Sequence, residues 1–311
     1  MLCALSVDLD EIPLYYAIHG WPAPERTAAS AVYAIGLARF EAFARAHHLP
    51  LTFFAVGADL RHPENAERLR RLAEAGHEVA NHSLDHFYDL TRRGREEMRR
   101  QVVAGADAIA QATGRRPMGF RAPGYTLTDE LVEVLTEAGV EYDSSVFPCP
   151  HYYLGKAVVV GAVRLRGRRS QSLLTGPAVL AAPVRPYRLG RPYWRRGSGL
   201  LELPIQVTRK ARLPFIGTTL VAAGPWGARF ITRDVVGEPF INLELHGIDV
   251  LDADDGLDDL VPHRLDLRVP VERKLEALSI VVEALKHAGY RFLRLGEAAR
   301  EFAAHAAAGA R

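Results

Sequence analysis

Residues 78–89 read EVANHSLDHFYD. A short apolar strand runs into Asn81 and delivers His82 and His86. Histidine is the commonest protein metal ligand. Two of them four residues apart lie on one face if the backbone there is helical, and can then meet one cation. Three further polar clusters accompany the pair: Asp8 and Asp10 at the end of the first strand, the turn RAPGY at 121–125, and a strand that ends in His246. The remainder of the chain reads as the scaffold that gathers these four places.

The scaffold is legible from periodicity and punctuation. Residues 2–8 are apolar on both faces, as in a buried parallel strand. Further strands are expected at 51–56, 78–81, 118–122, 141–146, 200–205, 240–245 and 291–295. Helical patterns fill 30–47, the stretch from Pro63 to Gly76, 93–112 (with Gly105 inside it), the stretch from Thr128 to Gly139, 270–287 and 296–308. Residues 11–29, broken by Pro13, Pro22 and Pro24, read as loop, and 212–232 as either strands or a short helix. Strands alternating with helices at this spacing give a parallel α/β fold, a barrel or an open sheet. The four clusters all sit at strand ends, where α/β barrels gather their chemistry.

Residues 147–199 break this rhythm. They hold six of the nineteen prolines and the run RLRGRRS, and are too long for a simple connection. The expectation is a functional insertion with its own hairpins, within one domain spanning 1–311. Its arginines (164, 166, 168, 169, 185, 188, 191, 195 and 196) alternate with Tyr187, Tyr193 and Trp194. This is either a solvated loop or a lid for an anionic glycan, such as a nucleotide- or lipid-diphosphate-linked sugar.

Composition sets few limits. At 48% hydrophobic and 24% charged residues the chain is ordinary for a globular protein, and a net charge of +2 gives nucleic acid no support. Cys3 and Cys149 form no disulfide framework. The opening MLCALSVDLD lacks a basic leader region, and no apolar run reaches the ~20 residues of a membrane span. The expectation is a soluble, cytoplasmic protein of undetermined oligomeric state, without a transmembrane segment.

In order, SVDLDE (6–11), NHSLDH (81–86), RAPGY (121–125), LLELP (200–204) and LELHG (243–247) resemble motifs of the polysaccharide deacetylase family, also called the NodB-homology family. The resemblance covers roughly 2–145 and 200–295. It implies a distorted (β/α) barrel, with the insertion after the fifth strand. It also implies metal-dependent removal of an N- or O-linked acetyl group from a carbohydrate or glycoconjugate, a phosphate-linked one being among the options. Carried over by position, it makes Asp10, His82 and His86 the metal ligands, Asp8 the general base, Arg121 its orienting partner and His246 the general acid. Zinc is the first choice of ion, with Co, Ni, Mn or Fe as substitutes; three N/O ligands leave positions open for water and substrate. Pro123, Tyr125, Glu202 and Trp194 are expected on the substrate side, with the Tyr125 N–H as a donor to the oxyanion. Leu9 separates two aspartates that are adjacent in many relatives, as in the Asp-x-Asp subset, so their two roles could be exchanged. The acid that tunes His246 stays open between Glu202 and Asp249. Two rival readings are a deformylase or allantoinase-like cyclic-amide hydrolase, and a non-catalytic sugar-binding protein.

Overall fold

Strand β1 (Leu2–Asp8) is covered on both faces: Cys3, Ala4, Leu5 and Val7 are all buried. The structure is a computed structural model that describes residues 1–22, 30–165, 167, 170–174 and 176–308. After β1 come helix α1 (Ile12–Ile18), a π-helical turn (Val32–Gly36) leading into α2 (Leu37–Ala46), β2 (Leu51–Ala55), α3 (Pro63–Glu74), β3 (Glu78–Asn81), α4 (Arg95–Thr113), β4 (Gly119–Phe120), α5 (Asp129–Glu137) and β5 (Tyr142–Asp143). The second half contains α6 (Pro150–Leu165), β6 (Tyr187–Leu189), β7 (Arg196–Glu202), α7 (Gly217–Val235), β8 (Phe240–His246), α8 (Val271–His287), β9 (Arg291–Phe292) and α9 (Leu295–Ala308).

The sheet runs β6-β7-β5-β4-β3-β2-β1-β8, with β9 also on β1, and every pairing is parallel except β6 with β7. It curls until its two sides nearly meet. The chain after β7 spans the gap: Leu203 N donates to Asp143 O and Ile205 N to Val146 O, while Gln206 N reaches across to Asn242 O at 3.0 Å. The result is a distorted (β/α) barrel closed by irregular chain.

Side chains alternate along a strand, and this alternation stacks the barrel interior in layers. Ala4, Phe54, Ala80, Tyr142, Leu201 and Phe240 form an apolar floor. Above it lie Ser6, Ser144 and Asn242, joined by Asn242 Nδ2 donating to Ser144 Oγ at 2.9 Å. The register sets Ser6 beside Glu244 and Asp8 beside His246. The top of the barrel is therefore polar because β1 and β8 both carry polar groups at every second position from there on.

Three expectations change. Residues 12–18 are helical: Glu11 caps the helix by accepting from Ile12 N, and Pro13 occupies the first turn, where its missing N–H costs nothing. The part of that predicted loop at 23–29 lies outside the described residues. The undecided stretch 212–232 is mostly helix α7, kinked at Gly224–Pro225. The insertion opens with a helix, α6, before the β6–β7 hairpin; and that hairpin extends the main sheet, since β7 pairs with β5.

Candidate active site

Three side chains converge where β1 and β3 end. Asp10 Oδ1 lies 3.0 Å from His86 Nε2 and 3.3 Å from His82 Nε2, and the two Nε2 atoms are 3.2 Å apart. His82 Nδ1 is 2.7 Å from the Arg121 carbonyl. A carbonyl only accepts, so Nδ1 carries the proton and the Nε2 lone pair faces the cluster. Buried Asp10 Oδ1 and His86 Nδ1 have no hydrogen-bond partner among the described residues. The edge of a tetrahedron with arms of about 2.0–2.1 Å is about 3.3 Å, so these separations suit a divalent ion held by all three atoms. Burial raises the Asp10 carboxyl, but the His86 and His82 imidazoles outweigh it and hold the group well below the carboxylate range.

The histidines do not meet on a helix. Ser83 and His86 both adopt left-handed backbone (φ 67° and 51°), and this turn folds His86 back beside His82. Such conformations cost about 1–3 kcal/mol each and need support. Ser83 Oγ accepts from His86 N at 3.1 Å, and Gln101 Oε1 accepts from Asp85 N at 2.8 Å. Helix α4 presses against the turn at Gly105, where an added Cβ would stand 2.6 Å from Asn81 Oδ1 and 2.8 Å from the Ser83 carbonyl carbon. The glycine inside that helix is a packing requirement.

Asp8 is held beside this cluster. Arg121 Nη1 donates to its Oδ1 at 2.5 Å, while Oδ2 lies 3.8 Å from His82 Nε2. Arg121 is wholly buried; it also donates to Ser6 Oγ, Ser144 O and Ser144 Oγ, and its guanidinium lies 4.0 Å over the Phe54 ring.

Across the cavity, Glu244 Oε1 is 2.9 Å from His246 Nδ1, and Tyr125 Oη is 3.2 Å from His246 Nε2. Burial alone would lower the His246 pKa, but the Glu244 carboxylate raises it to about 10. Glu244 thus takes the tuning place left open between Glu202 and Asp249. Position i+2 on one strand face could have identified it from the motif LELHG. Asp249 instead accepts from the His246 backbone N–H at 2.8 Å. Asp8, Glu244 and His246 offer polar atoms within 4.8 Å of one another.

Asp8, Asp10, His82, Tyr125 and His246 line a cavity of about 380 Å³, whose walls add residues not expected from sequence: Tyr15, Tyr88, Tyr152, Lys156 and Arg264. Lys156 Nζ donates to Gly124 O at 2.9 Å, which fastens α6 to the RAPGY turn, and burial pushes its pKa down to about 8. Tyr125 lines the cavity through its ring, but its N–H already donates to Ala122 O at 3.0 Å and is not free for an oxyanion. Glu202 lies outside the cavity lining, fully buried below it; it accepts from Val146 N and stands beside Asp143, and burial, then mutual repulsion, pushes its pKa well up. Trp194 packs on Tyr193, and Pro123 is buried; neither lines the cavity. Nor do the insertion's described arginines, whose partners include Glu238 for Arg185 and Glu133 for Arg191. Arg166, Arg168 and Arg169 lie outside the described residues.

Residues 38–142 match the family model for polysaccharide deacetylase. Over that segment, about a third of its length, the chain is similar to the polysaccharide deacetylase family. The matched segment holds His82, His86 and Arg121, while Asp8, Asp10, Glu244 and His246 lie outside it. Among curated relatives of this family, a peptidoglycan deacetylase of Helicobacter pylori is 25% identical over 148 residues, 47% of this chain and 50% of that one. A chitooligosaccharide deacetylase of Sinorhizobium fredii is 35% identical over 95 residues, 30% of this chain and 43% of that one. The chain thus spans about half the length of the curated relatives it matches. A crystal structure of a candidate polysaccharide deacetylase from Mycobacterium smegmatis superposes with a TM-score of 0.58 at 18% identity, over 97% of this chain and 91% of that one, a likeness of fold.

Proposed function

We propose that this chain is a metal-dependent hydrolase that removes an acetyl group from a carbohydrate or glycoconjugate. The observation that carries the reading is the convergence of Asp10 Oδ1, His82 Nε2 and His86 Nε2 to within 3.0–3.3 Å, beside two separately held acid–base groups. Two imidazole nitrogens and one carboxylate suit zinc, with cobalt, nickel or iron as alternatives. An ion bound there would supply an electrophile for the acyl carbonyl and make an attacking water more acidic.

The chain's own groups divide the proton work. Asp8 has one oxygen tied to Arg121, so its orientation is set and Oδ2 remains to take a proton from water. His246, kept protonated by Glu244, faces the same space and can deliver a proton to the leaving nitrogen or oxygen. Tyr125 Oη holds the His246 ring from the side opposite Glu244. The sugar specificity of the curated relatives, chitooligosaccharide and peptidoglycan, indicates the substrate class.

The test is a panel of N- and O-acetylated sugars, with acetate, formate and ring-opened products measured separately and metal content determined on the same sample. The expected result is acetate release by protein carrying about one equivalent of metal. Formate or ring-opened product alone would replace this reading with a deformylase or cyclic-amide hydrolase. Sugar binding without any product would make the chain a binding protein.

A further inference from the structure

Helix α6 has its amphipathic order reversed. Between Pro150 and Val163 its one Lys, Arg, Asp or Glu is Lys156, and that side chain is turned inward onto the Gly124 carbonyl. The outward stripe is Leu154, Val158 and Leu165, exposed to 63%, 70% and 90%. Their spacing of four and seven places them along one side of the helix. A surface helix of a globular protein normally presents the opposite arrangement, and a contiguous apolar stripe marks a surface made to be covered.

Two more observations indicate what covers it. The first is charge. From Asp143 to Glu202 no Asp or Glu intervenes in the sequence, while the same stretch contains Lys156 and nine arginines, four of them (164, 166, 168 and 169) within six residues of sequence at and after the helix's C-terminal end. An apolar helix face followed by a cationic run matches a headgroup layer of anionic lipid, where alkyl side chains enter and arginines meet phosphate. Nucleic acid would use the charge but not the stripe. The second is continuity with the cavity. The same helix contributes Tyr152, Val159 and Val160 to the cavity wall, which also includes Ile18, Pro214 and Ile216. These apolar side chains give an alkyl chain a surface beside the polar residues that would meet the sugar. At 16 residues α6 is about 24 Å long, short of the ~30 Å hydrocarbon core, so it would lie along the surface.

We propose that α6 seats this chain on an anionic lipid surface, and that the cavity draws its substrate from there, an acylated sugar joined to an alkyl chain. The substrate class rests on the deacetylase reading above; the lipid contact does not.

The lipid contact is tested by co-sedimentation of the full chain with phosphatidylcholine vesicles, with and without phosphatidylglycerol. The variant is Leu154→Glu/Val158→Glu, whose side chains are exposed and outside the cavity lining. Wild type should bind the anionic vesicles, and the double variant should bind roughly tenfold more weakly with an unchanged circular dichroism spectrum and Tm. Absence of wild-type binding, or equal binding by the variant, would overturn the proposal. So would a wild-type dimer that the variant dissolves without any vesicle binding, which would make the stripe a contact between copies.

The substrate class is tested by comparing dodecyl and methyl N-acetylglucosaminide. A kcat/KM about tenfold higher for the dodecyl compound supports it, and equal values overturn it. Vesicle binding with no acetate from either compound would leave the lipid contact standing and remove the deacetylase reading. Acetate release without vesicle binding would do the reverse.

Discussion

Glu244 and His246 stand two residues apart on one face of β8, with the carboxylate 2.9 Å from Nδ1 and both groups enclosed by the barrel. Burial by itself would discharge the imidazole; the carboxylate reverses that and raises its pKa to about 10. The carboxylate therefore favours the protonated ring through the neutral range.

Glu244→Gln should bring the alkaline limit of activity down. The acting form is the protonated one, so activity falls as pH rises through the His246 pKa. In wild type this limb should lie near 10, where Glu244 places the His246 pKa. Without the carboxylate, burial dominates and the limb moves toward or below the ordinary value of about 6.5. Profiles of kcat/KM against pH for an amide substrate provide the measurement. The variant should recover on acidification, and an unmoved alkaline limb would remove Glu244 from this role.

His82→Ala should lose metal and activity together. Its Nε2 is one of three converging donors, and its Nδ1–H is locked to the Arg121 carbonyl at 2.7 Å. Metal analysis of the purified variant is the readout; full stoichiometric metal would remove His82 from the ligand set.

The aspartates should separate cleanly. Asp8→Asn keeps an oxygen for Arg121 but removes the proton acceptor, so metal should remain while turnover falls by about 10²–10⁴. Asp10→Asn should lose metal instead. The opposite pattern would exchange the two roles, since both carboxylates lie within 4 Å of His82 Nε2.

Gly105→Ala should destabilise the protein although alanine is the better helix former. Removing glycine from a helix interior contributes about 0.8–1.0 kcal/mol. The new methyl group would stand 2.6–3.0 Å from Asn81 and the Ser83–Leu84 backbone, and overpacking of that kind costs about 1–3 kcal/mol. The net effect should be a lower Tm and weaker metal retention, because the displaced backbone carries His82 and His86. A raised Tm with metal intact would show that the turn can yield freely.

Much of this was legible without coordinates. Buried parallel strands announce themselves by unbroken apolar runs, and Thr128 caps its helix as its position suggests, accepting from Leu131 N. The strand-end polar residues Asp8, Asp10, His82, His86, Arg121 and His246 could be picked out because polar groups are costly inside such a sheet and need a reason to be there. What stayed hidden depends on distance along the chain or on unusual backbone. No local pattern shows that Ser83 and His86 turn left-handed, that Tyr125 spends its N–H on Ala122, or that the apolar helix α6 would face outward. Glu244 and Glu202 are two acids in similar apolar strands; one tunes a histidine and the other sits beside a second carboxylate below the cavity. The sequence by itself determined which groups would be polar at the strand ends of a parallel sheet, since that follows from period and burial cost. Only the tertiary structure decided which of them touch, because contacts between residues 8, 82, 121 and 246 depend on the register and curl of the sheet, and these are set by the packing of the whole chain.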